Sequence, residues 1–405
     1  MGILIESLCS PEAGTQVPAI IRRFYTDKSW VEGETLRQLD QMARLNGAMT
    51  LAAFPDLHPG KYGATGVALL ANRLHPLLIG NDIGCGMSLF MLDLPVRKLR
   101  IDKAELRLRE LEMQEISDAG AMLAASGLPH DLFPEGLGTI GGGNHFCELQ
   151  AVDEMFAGSS EGVLDSQALY LLVHSGSRGL GASVFAEFLV AGEANNEGLE
   201  IGSPAYTRWK NKHDQCVKWA SLNRRMIAER AAKALHADCT LIADVPHNVV
   251  RVQPDGIVHH KGAAVANAGD LVPVAGSRAS LSYIVRARDE VQQSLGAISH
   301  GAGRKYDRAS MQGRIGKLRS QREQHLRNPW GGRAICDDRA LMVEEAASAY
   351  KDSAQVVADL EAHHLIDPVA AMRPLLTYKK AMDQKTGGSL KNDDKRGRKG
   401  HYEKR

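Results

Sequence analysis

Residues 80–94 have the sequence GNDIGCGMSLFMLDL, in which a glycine-rich cluster leads into an apolar run. The apolar runs on either side of this cluster, 69–79 and 88–94, predict two strands. Glycine permits a tight turn and lets the backbone approach a ligand closely. The same combination of an apolar run, small residues and a reactive side chain recurs at 141–146, 173–179, 244–248 and 299–304. We therefore expect reactive side chains from distant segments to lie at the ends of strands.

Other segments predict a mixture of strands and helices. Runs 168–173 and 241–245 predict strands, and the turn residues Pro254-Asp255-Gly256 predict a hairpin over 251–260. Helical spacing of apolar residues predicts helices over 106–123, 221–237 and 339–361, with Ser221 as an N-cap. This irregular order predicts an α+β (mixed α/β) fold rather than a regular βαβ repeat.

The composition is that of a folded globular protein. The 405 residues include 49 Lys and Arg against 48 Asp and Glu, and 44% are hydrophobic. High apolar content with a net charge near zero excludes global disorder. No run approaches the roughly 18 apolar residues of a membrane-spanning helix, so we expect no membrane partner. Six cysteines without a CxxC pair, and no visible export signal, predict a cytoplasmic location.

Positive charge is concentrated in two segments. Residues 304–333 contain nine basic and two acidic residues, a net charge of +7, and residues 391–405 contain seven basic and three acidic residues, a net charge of +4. Such segments favour a polyanionic partner, although a solvated surface explains the first segment about equally well.

Five side chains in the glycine-rich clusters are of metal-binding types, namely Asp82, Cys85, His145, His174 and His247. Five ligands exceed the four of one tetrahedral site, which favours two ions joined by a bridging thiolate. By affinity alone, thiolate and imidazole together favour zinc. Taken singly, each histidine is better explained as a hydrogen-bonded interior imidazole and Cys85 as a small core residue. The metal hypothesis depends on their occurring together.

His300 lies in a different setting, the segment His-Gly-Ala-Gly-Arg at 300–304. A neutral imidazole there is able to attack phosphorus, with backbone N–H groups and Arg304 stabilising the developing charge. A loop histidine that only hydrogen-bonds a phosphate fits the same residues equally well. The serine-rich run 275–282 offers hydroxyl donors for a phosphate or a base.

In order and spacing, these segments resemble the signature motifs of the RtcB-type RNA-splicing ligases. The similar segments are PDLHPGK (55–61), GNDIGCGM (80–87), GTIGGGNHFCE (138–148), LVHSGSRGLG (172–181), HN (247–248), VHHKGA (258–263), SHGAGR (299–304), AYKD (349–352) and RPL with Lys379 (373–379). The resemblance covers roughly residues 45–380. It implies a single large catalytic domain over 1–380, with central β-sheets flanked by helices, followed by a basic tail over 381–405 that we expect to be disordered.

The resemblance further implies a monomeric ligase that depends on GTP and two Mn²⁺ ions, in place of zinc. Such an enzyme joins an RNA 3′-phosphate or 2′,3′-cyclic phosphate end to a 5′-hydroxyl end, in RNA repair or tRNA splicing. A histidine, which by position is His300, takes GMP from GTP and passes it to the RNA 3′-phosphate. The 5′-hydroxyl then displaces GMP from this RNA-ppG end.

The resemblance assigns a role to each matching residue. Cys85 matches the thiolate that bridges the two ions, Asp82 and His145 match the other ligands of one ion, and His174 and His247 match those of the second. Arg178 matches an arginine that grips an RNA phosphate. The residues that match the GTP site are Asn144, Phe146, Glu148, Ser277, Ser282, Gly303, Tyr350 and Lys379.

The chain departs from the family pattern in three places, which leaves other hypotheses open. The family's P-G-S-M-G segment reads Ala-Gly-Ser-Arg-Ala here, with Arg278 beside the expected guanine site, and its H-R-K-G-A segment has His260 in place of arginine. The basic tail is an addition. A dinuclear-metal RNA end-processing phosphoesterase that stores no guanylate is the alternative enzyme. A non-catalytic RNA-binding protein is disfavoured, because the reactive side chains are all present.

Overall fold

The computed structural model describes residues 17–113, 116–156, 162, 164–314 and 326–381. Its strands are β1 (Ile20–Arg23), β2 (Ala48–His58), β3 (Thr65–Ala71), β4 (Arg73–Leu74), β5 (Gly86–Pro95), β6 (Phe146–Met155), β7 (Ala168–Ser175), β8 (Leu199–Glu200), β9 (Cys239–Pro246), β10 (Asn248–Gln253), β11 (Gly256–Lys261), β12 (Ala263–Val265), β13 (Leu271–Val274), β14 (Ser282–Ala287), β15 (Ala297–Ser299), β16 (Arg333–Cys336) and β17 (Ile366–Lys380). The basic tail predicted over 381–405 lies outside the described residues except for Ala381.

The largest sheet has the order β13-β14-β17-β6-β7-β5-β9, with β16 beside β17. Its two outer strands, β13 and β9, also contact each other, so the sheet curls toward a barrel. The apolar runs 88–94, 168–173 and 241–245 lie within β5, β7 and β9, which confirms these three strand predictions. These strands are neighbours, so the chain segments that follow or precede them meet at one edge.

A second sheet has the order β1-β2-β3-β11-β10. Its β10 and β11 form the antiparallel hairpin predicted over 251–260. The strand predicted over 69–79 is only partly right, because β3 ends at Ala71 and a short helix begins at Pro76. Proline favours the first turn of a helix, where its missing N–H has no partner to lose.

The α-helices are α1 (Gly33–Ala43), α2 (Pro76–Ile79), α3 (Ile101–Leu108), α4 (Ala119–Ala125), α5 (Arg178–Val190), α6 (Pro204–Leu235), α7 (Arg339–Glu344) and α8 (Ser353–Ala362). The predictions of single helices over 106–123 and 339–361 are wrong, because each range contains two separate helices. The second range is interrupted where Asp352 accepts a hydrogen bond from Ala354 N–H and starts a new helix. Ser221 lies inside α6, whose N-cap is Ser203.

The long helix α6 covers one face of the large sheet. Its residues Ile227, Ala228 and Ala231 are buried in the same apolar cluster as Leu171 of β7 and Phe90 of β5. Sheets covered by helices confirm the predicted α+β class. Within the described ranges, no helix combines the length and the apolarity needed to cross a membrane.

Candidate active site

Three neighbouring strands of the large sheet bring reactive side chains to one place. Cys85 directly precedes β5, His174 lies in β7, and His247 directly follows β9. The first residue of β5 pairs with Ser175 in β7 on one side and with Pro246 in β9 on the other. Because these partners are chain neighbours of the two histidines, the register of the sheet places both imidazoles beside the thiol.

His145 and Asp82 complete this cluster. Phe146 in β6 pairs with His174 in β7, so His145 approaches from beside β7. The Nε2 atom of His145 lies 2.8 Å from Asp82 Oδ2 and 3.3 Å from Cys85 Sγ. On the other side of the sulfur, His174 Nε2 lies 3.2 Å from Cys85 Sγ. The thiol is therefore central.

The ligand atoms form two groups that share one sulfur. Asp82, Cys85 and His145 form the first group, and Cys85, His174 and His247 form the second. Within each group all ligand atoms lie within 4.8 Å of one another. The Nε2 atoms of His174 and His247 are 3.3 Å apart. An atom common to two such groups is placed as a bridging ligand would be.

The protonation of these side chains fits two bound cations. Burial, followed by the neighbouring imidazoles, holds the pKa of His174 and of His247 well below the usual histidine value, so both rings are neutral and offer lone pairs. Burial and the Asp82 carboxylate raise the pKa of the Cys85 thiol. A cation is therefore needed to hold this sulfur as the thiolate. Burial alone would raise the pKa of Asp82, but His145, Cys85 and Arg178 together lower it below its usual value, so the carboxylate is ionised.

Asn144 and Arg178 contact the histidines from outside the cluster. The Nδ1–H of His174 donates to the Asn144 carbonyl at 3.1 Å, which leaves Nε2 free to face the sulfur. Arg178 begins α5, and its Nη1 lies 3.4 Å from His145 Nδ1. The guanidinium crosses Gly141, where a Cβ atom would overlap it. The absence of a side chain at Gly141 thus makes room for this arginine.

His300 follows β15 and faces the same cluster. Its ring centroid is 4.5 Å from that of His247. The Nδ1–H of His300 donates to Asp56 Oδ2 at 2.7 Å, and Ser299 Oγ donates to Asp56 Oδ1 at 2.9 Å. Asp56 is fully buried at the end of β2. This bond fixes the ring and leaves Nε2 as the nitrogen with a free lone pair.

Asp56 is a site residue that the sequence analysis did not single out. The signal was present, because Asp56 belongs to the segment PDLHPGK that carries part of the family resemblance. Nothing in its spacing pointed to His300, which lies 244 residues further along the chain. Gly303 packs directly against the backbone of Asp56, since a Cβ atom at this position would overlap the Asp56 carbonyl.

A cavity of about 530 Å³ opens over the cluster and His300. The residues to which the resemblance assigns a metal, nucleotide or catalytic role and which line it are Asp82, Cys85, Asn144, Phe146, Glu148, His174, His247, Ser277, His300, Gly303, Tyr350 and Lys379. Three others stand outside the lining. His145 contacts Cys85, Arg178 contacts His145, and Ser282 accepts a hydrogen bond from Gly276 N–H at 3.0 Å.

Glu148 and Lys379 give the cavity a titratable end. Burial raises the pKa of Glu148 to about 7, although hydrogen bonds from Thr377 and Gln150 lower it. Gln150 also donates to Ser282 Oγ at 3.1 Å. Burial lowers the pKa of Lys379 to about 8. Near neutral pH the carboxylate is partly protonated and the amine is mostly charged, so this end can both donate and accept hydrogen bonds.

The buried carboxylate of Glu345 forms ion pairs with part of the basic segment 304–333. Arg304 Nη1 lies 3.1 Å and Arg308 Nε 3.2 Å from Glu345 Oε1, and Tyr350 donates to Oε2. Some of the positive charge predicted over 304–333 is therefore paired inside the protein. Arg278, by contrast, is buried with its Nε and Nη1 atoms lacking a hydrogen-bond partner in the described structure.

Comparison with known proteins identifies the family. The profile described as tRNA-splicing ligase RtcB matches residues 130–380. RNA-splicing ligase RtcB2 of Escherichia coli is 38% identical over 89% of this chain and 96% of its own length. RNA-splicing ligase RtcB homolog 1 of Entamoeba dispar is 27% identical over 85% of this chain and 81% of its own length. The tRNA-splicing ligase RtcB of Thermococcus kodakarensis is 26% identical over 87% and 93%.

The profile covers more than half of the chain, and the Escherichia coli relative aligns along nearly its whole length. The matched region contains most of the cavity lining, including His174, His247 and His300. The sequence resemblance, the profile and the strand-end cluster therefore agree, and the chain belongs to the RtcB family of RNA-splicing ligases.

Proposed function

We propose that this protein is an RNA ligase that joins a 3′-phosphate or 2′,3′-cyclic phosphate end to a 5′-hydroxyl end through a guanylated histidine. One observation carries the proposal. His300, held by Asp56 through Nδ1, shares a cavity with two metal-ligand groups that meet at Cys85. A neutral imidazole nitrogen beside two cation sites is suited to attack on a nucleoside triphosphate.

The first step uses the free nitrogen of His300. Nε2 forms a bond to the α-phosphorus of GTP, the bond from that phosphorus to the bridging oxygen breaks, and pyrophosphate leaves. The Asp56 carboxylate accepts the Nδ1 hydrogen bond at 2.7 Å and stabilises the positive charge that develops on the ring. When bound, two Mn²⁺ ions held by Asp82, Cys85, His145, His174 and His247 would neutralise the phosphates and polarise the reacting bonds.

The next steps transfer GMP and close the RNA. An oxygen of the RNA 3′-phosphate attacks the same phosphorus and frees His300, which gives an RNA-ppG end. The 5′-hydroxyl then attacks the RNA phosphorus and displaces GMP, and a 2′,3′-cyclic end is first opened by water. In these steps Arg178, which reaches past Gly141 to His145, would hold an RNA phosphate.

The guanine is proposed to lie at the titratable end of the cavity. Glu148 and Lys379 offer an acceptor and donors, and Ser277 and Tyr350 line the same space. Phe146, whose ring centre lies 5.6 Å from that of His174, adds an apolar surface to the cavity. A carboxylate that accepts two base N–H groups and a cation that donates to a base oxygen would favour guanine.

Labelling with α-³²P-GTP and Mn²⁺ tests the proposal. The wild-type protein should take up label in a bond that acid cleaves and alkali spares, as expected of a phosphoramidate. The variant His300→Ala should take up none. As a matched control, His363→Ala removes a histidine outside the cavity lining and should label like the wild type.

Three outcomes decide between the hypotheses. Label on His300→Ala would refute the assignment of the nucleophile. Opening of cyclic phosphate ends without any label would support the phosphoesterase instead. Label with GTP but no joined RNA would refute the ligase and leave a nucleotidyl transferase.

A further inference from the structure

A second cavity adjoins the first on the side of Asp82. It has a volume of about 420 Å³ and lies between the loop after β2, the end of α2 and helix α5. Five residues line both cavities, namely Lys61, Thr65, Asn81, Asp82 and Asn248. A ligand bound in the second cavity would therefore reach the first metal-ligand group. The steps proposed above assign nothing to this space.

Lys261 places a buried positive charge in this cavity. The residue is 9% exposed, and Nζ donates to the Leu78 carbonyl at 2.8 Å. Among the described residues, no carboxylate forms an ion pair with it. Burial alone lowers the pKa of Lys261 to about 8, so it remains charged at neutral pH. An unpaired buried ammonium is costly, and an anionic ligand would compensate it.

The opposite wall of the cavity is apolar and partly aromatic. Ala182, Phe185, Ala186 and Leu189 follow the i, i+3, i+4, i+7 spacing of one face of α5. The rings of Phe185 and Tyr62 lie 5.3 Å apart, and Leu189 is 44% exposed at the rim. Lys61 Nζ lies 5.0 Å from the centre of the Tyr62 ring. The cavity thus has a cationic side and an aromatic side.

We propose that this second cavity binds the terminal nucleotide of one RNA strand, with a phosphate on Lys261 and Lys61 and the base against Tyr62 and Phe185. Aromatic rings that stack bases and cations that hold the backbone are the usual pair for single-stranded RNA. The inference rests on the proposed function, because it places one of the two RNA ends beside the metal site. Either end carries this chemistry, and the two are distinguished by experiment.

Fluorescence anisotropy without nucleotide separates the two strands. One probe is a labelled RNA that ends in a 3′-phosphate, and the other is a labelled RNA with a 5′-hydroxyl. Lys261→Gln keeps the donor to the Leu78 carbonyl but removes the charge, and Tyr62→Ala removes a stacking surface. We expect both variants to raise the Kd for one strand about tenfold and to change the Kd for the other less than twofold. Lys261→Arg should restore tight binding, and Lys218→Gln, an exposed lysine on α6, should bind like the wild type.

The outcomes are distinct from a test of guanylation. Unchanged Kd values for both strands in both folded variants would overturn the proposal. Equal weakening of both strands that Lys261→Arg does not restore, with a lower Tm, would also overturn it, because it would show a structural role. If the wild-type protein takes up no label from GTP but shows the strand-specific loss, the ligase proposal fails while the RNA-end site stands.

Discussion

At the residue scale, the chemistry depends on which nitrogen of each imidazole is free. His174 gives its Nδ1–H to the Asn144 carbonyl and His300 gives its own to Asp56, so both rings present Nε2 to the cavity. Burial keeps His174 neutral, as a metal ligand must be, and the backbone carbonyl behind it adds no negative charge. A carboxylate behind His300 suits a ring that becomes positively charged during attack. Histidine thus has two roles here, metal ligand and nucleophile, and the group that accepts the Nδ1 hydrogen bond distinguishes them.

Replacing Asp56 tests this difference. Asp56→Asn keeps the size of the side chain but removes the charge and presents an N–H where His300 needs an acceptor. We expect the rate of guanylation to fall on the order of 10²- to 10⁴-fold, with little change in metal binding. Quenched-flow labelling with α-³²P-GTP measures the rate, and calorimetric titration with Mn²⁺ measures the binding. A labelling rate within threefold of the wild type would contradict the role.

Arg278 is the departure from the family pattern with the largest physical cost. Its guanidinium is buried beside the proposed guanine site, and two of its nitrogens lack a hydrogen-bond partner among the described residues. Arg278→Met, which restores the residue usual in the family, should raise the free energy of unfolding by about 1–3 kcal/mol. It should also weaken nucleotide binding and reduce the preference for GTP over ATP. Thermal denaturation and nucleotide titrations measure both effects, and a lower Tm would contradict the argument.

Glu148 predicts a dependence of stability on pH. Its pKa is raised from 4.5 in the unfolded chain to about 7 in the folded protein, so folding favours its protonated form. The resulting stabilisation is present below pH 4.5 and is lost as the pH rises to about 7, by about 3 kcal/mol. Glu148→Gln lacks this loss, so its Tm should rise relative to the wild type between pH 5 and pH 8. A difference in Tm that is constant with pH would contradict the prediction.

At the element scale, Arg224 of α6 ties together the strand ends that carry the metal ligands. It donates to the carbonyls of Gly84 and Ser175 at 2.9 and 3.0 Å, which flank Cys85 and His174. Its Nη2 lies 2.7 Å from the carboxylate of Asp244, in the strand that leads to His247. A helix that was predicted only over its second half therefore positions ligands on β5, β7 and β9. No local pattern in the sequence indicates these contacts.

Removing this arginine should loosen the metal site. Arg224→Met leaves the part-buried Asp244 carboxylate without its cation and removes the donor to the carbonyls of Gly84 and Ser175, so we expect the free energy of unfolding to fall by about 1–3 kcal/mol. We expect a lower Tm and weaker Mn²⁺ binding, both measured by calorimetry. Arg225→Met changes the adjacent, exposed arginine and should leave both quantities near the wild-type values. Tight Mn²⁺ binding by folded Arg224→Met would contradict the positioning role.

At the scale of the whole molecule, the sequence predicted what is local and missed what depends on distant contacts. Apolar runs predicted β5, β7 and β9, and the clusters at their ends identified Cys85, His174 and His247. Apolar periodicity wrongly joined 106–123 and 339–361 into single helices. In the second range the Asp352 side chain caps a new helix, whereas in the first range no side chain caps the helix that begins at Ala119. Asp56 contacts His300, and Arg224 contacts the strand ends, only because the sheets and α6 pack against each other. Their roles follow from tertiary distances that spacing does not encode.

The basic segment over 391–405 is expected to affect RNA binding through its positive charge. Part of the positive charge over 304–333 is paired with Glu345. We therefore expect the net charge of +4 over 391–405 to contribute more to the attraction of an RNA backbone. Each phosphate contact on a single strand contributes about 0.7 to the slope of log K against log salt concentration. A chain that ends at Lys380 should therefore show a slope about two to three units shallower than the full chain. A full-length variant with Lys395, Arg396, Arg398 and Lys399 replaced by Gln separates charge from length, because it should match the truncated chain. Equal slopes for all three proteins would show that the segment makes no contact with the RNA backbone.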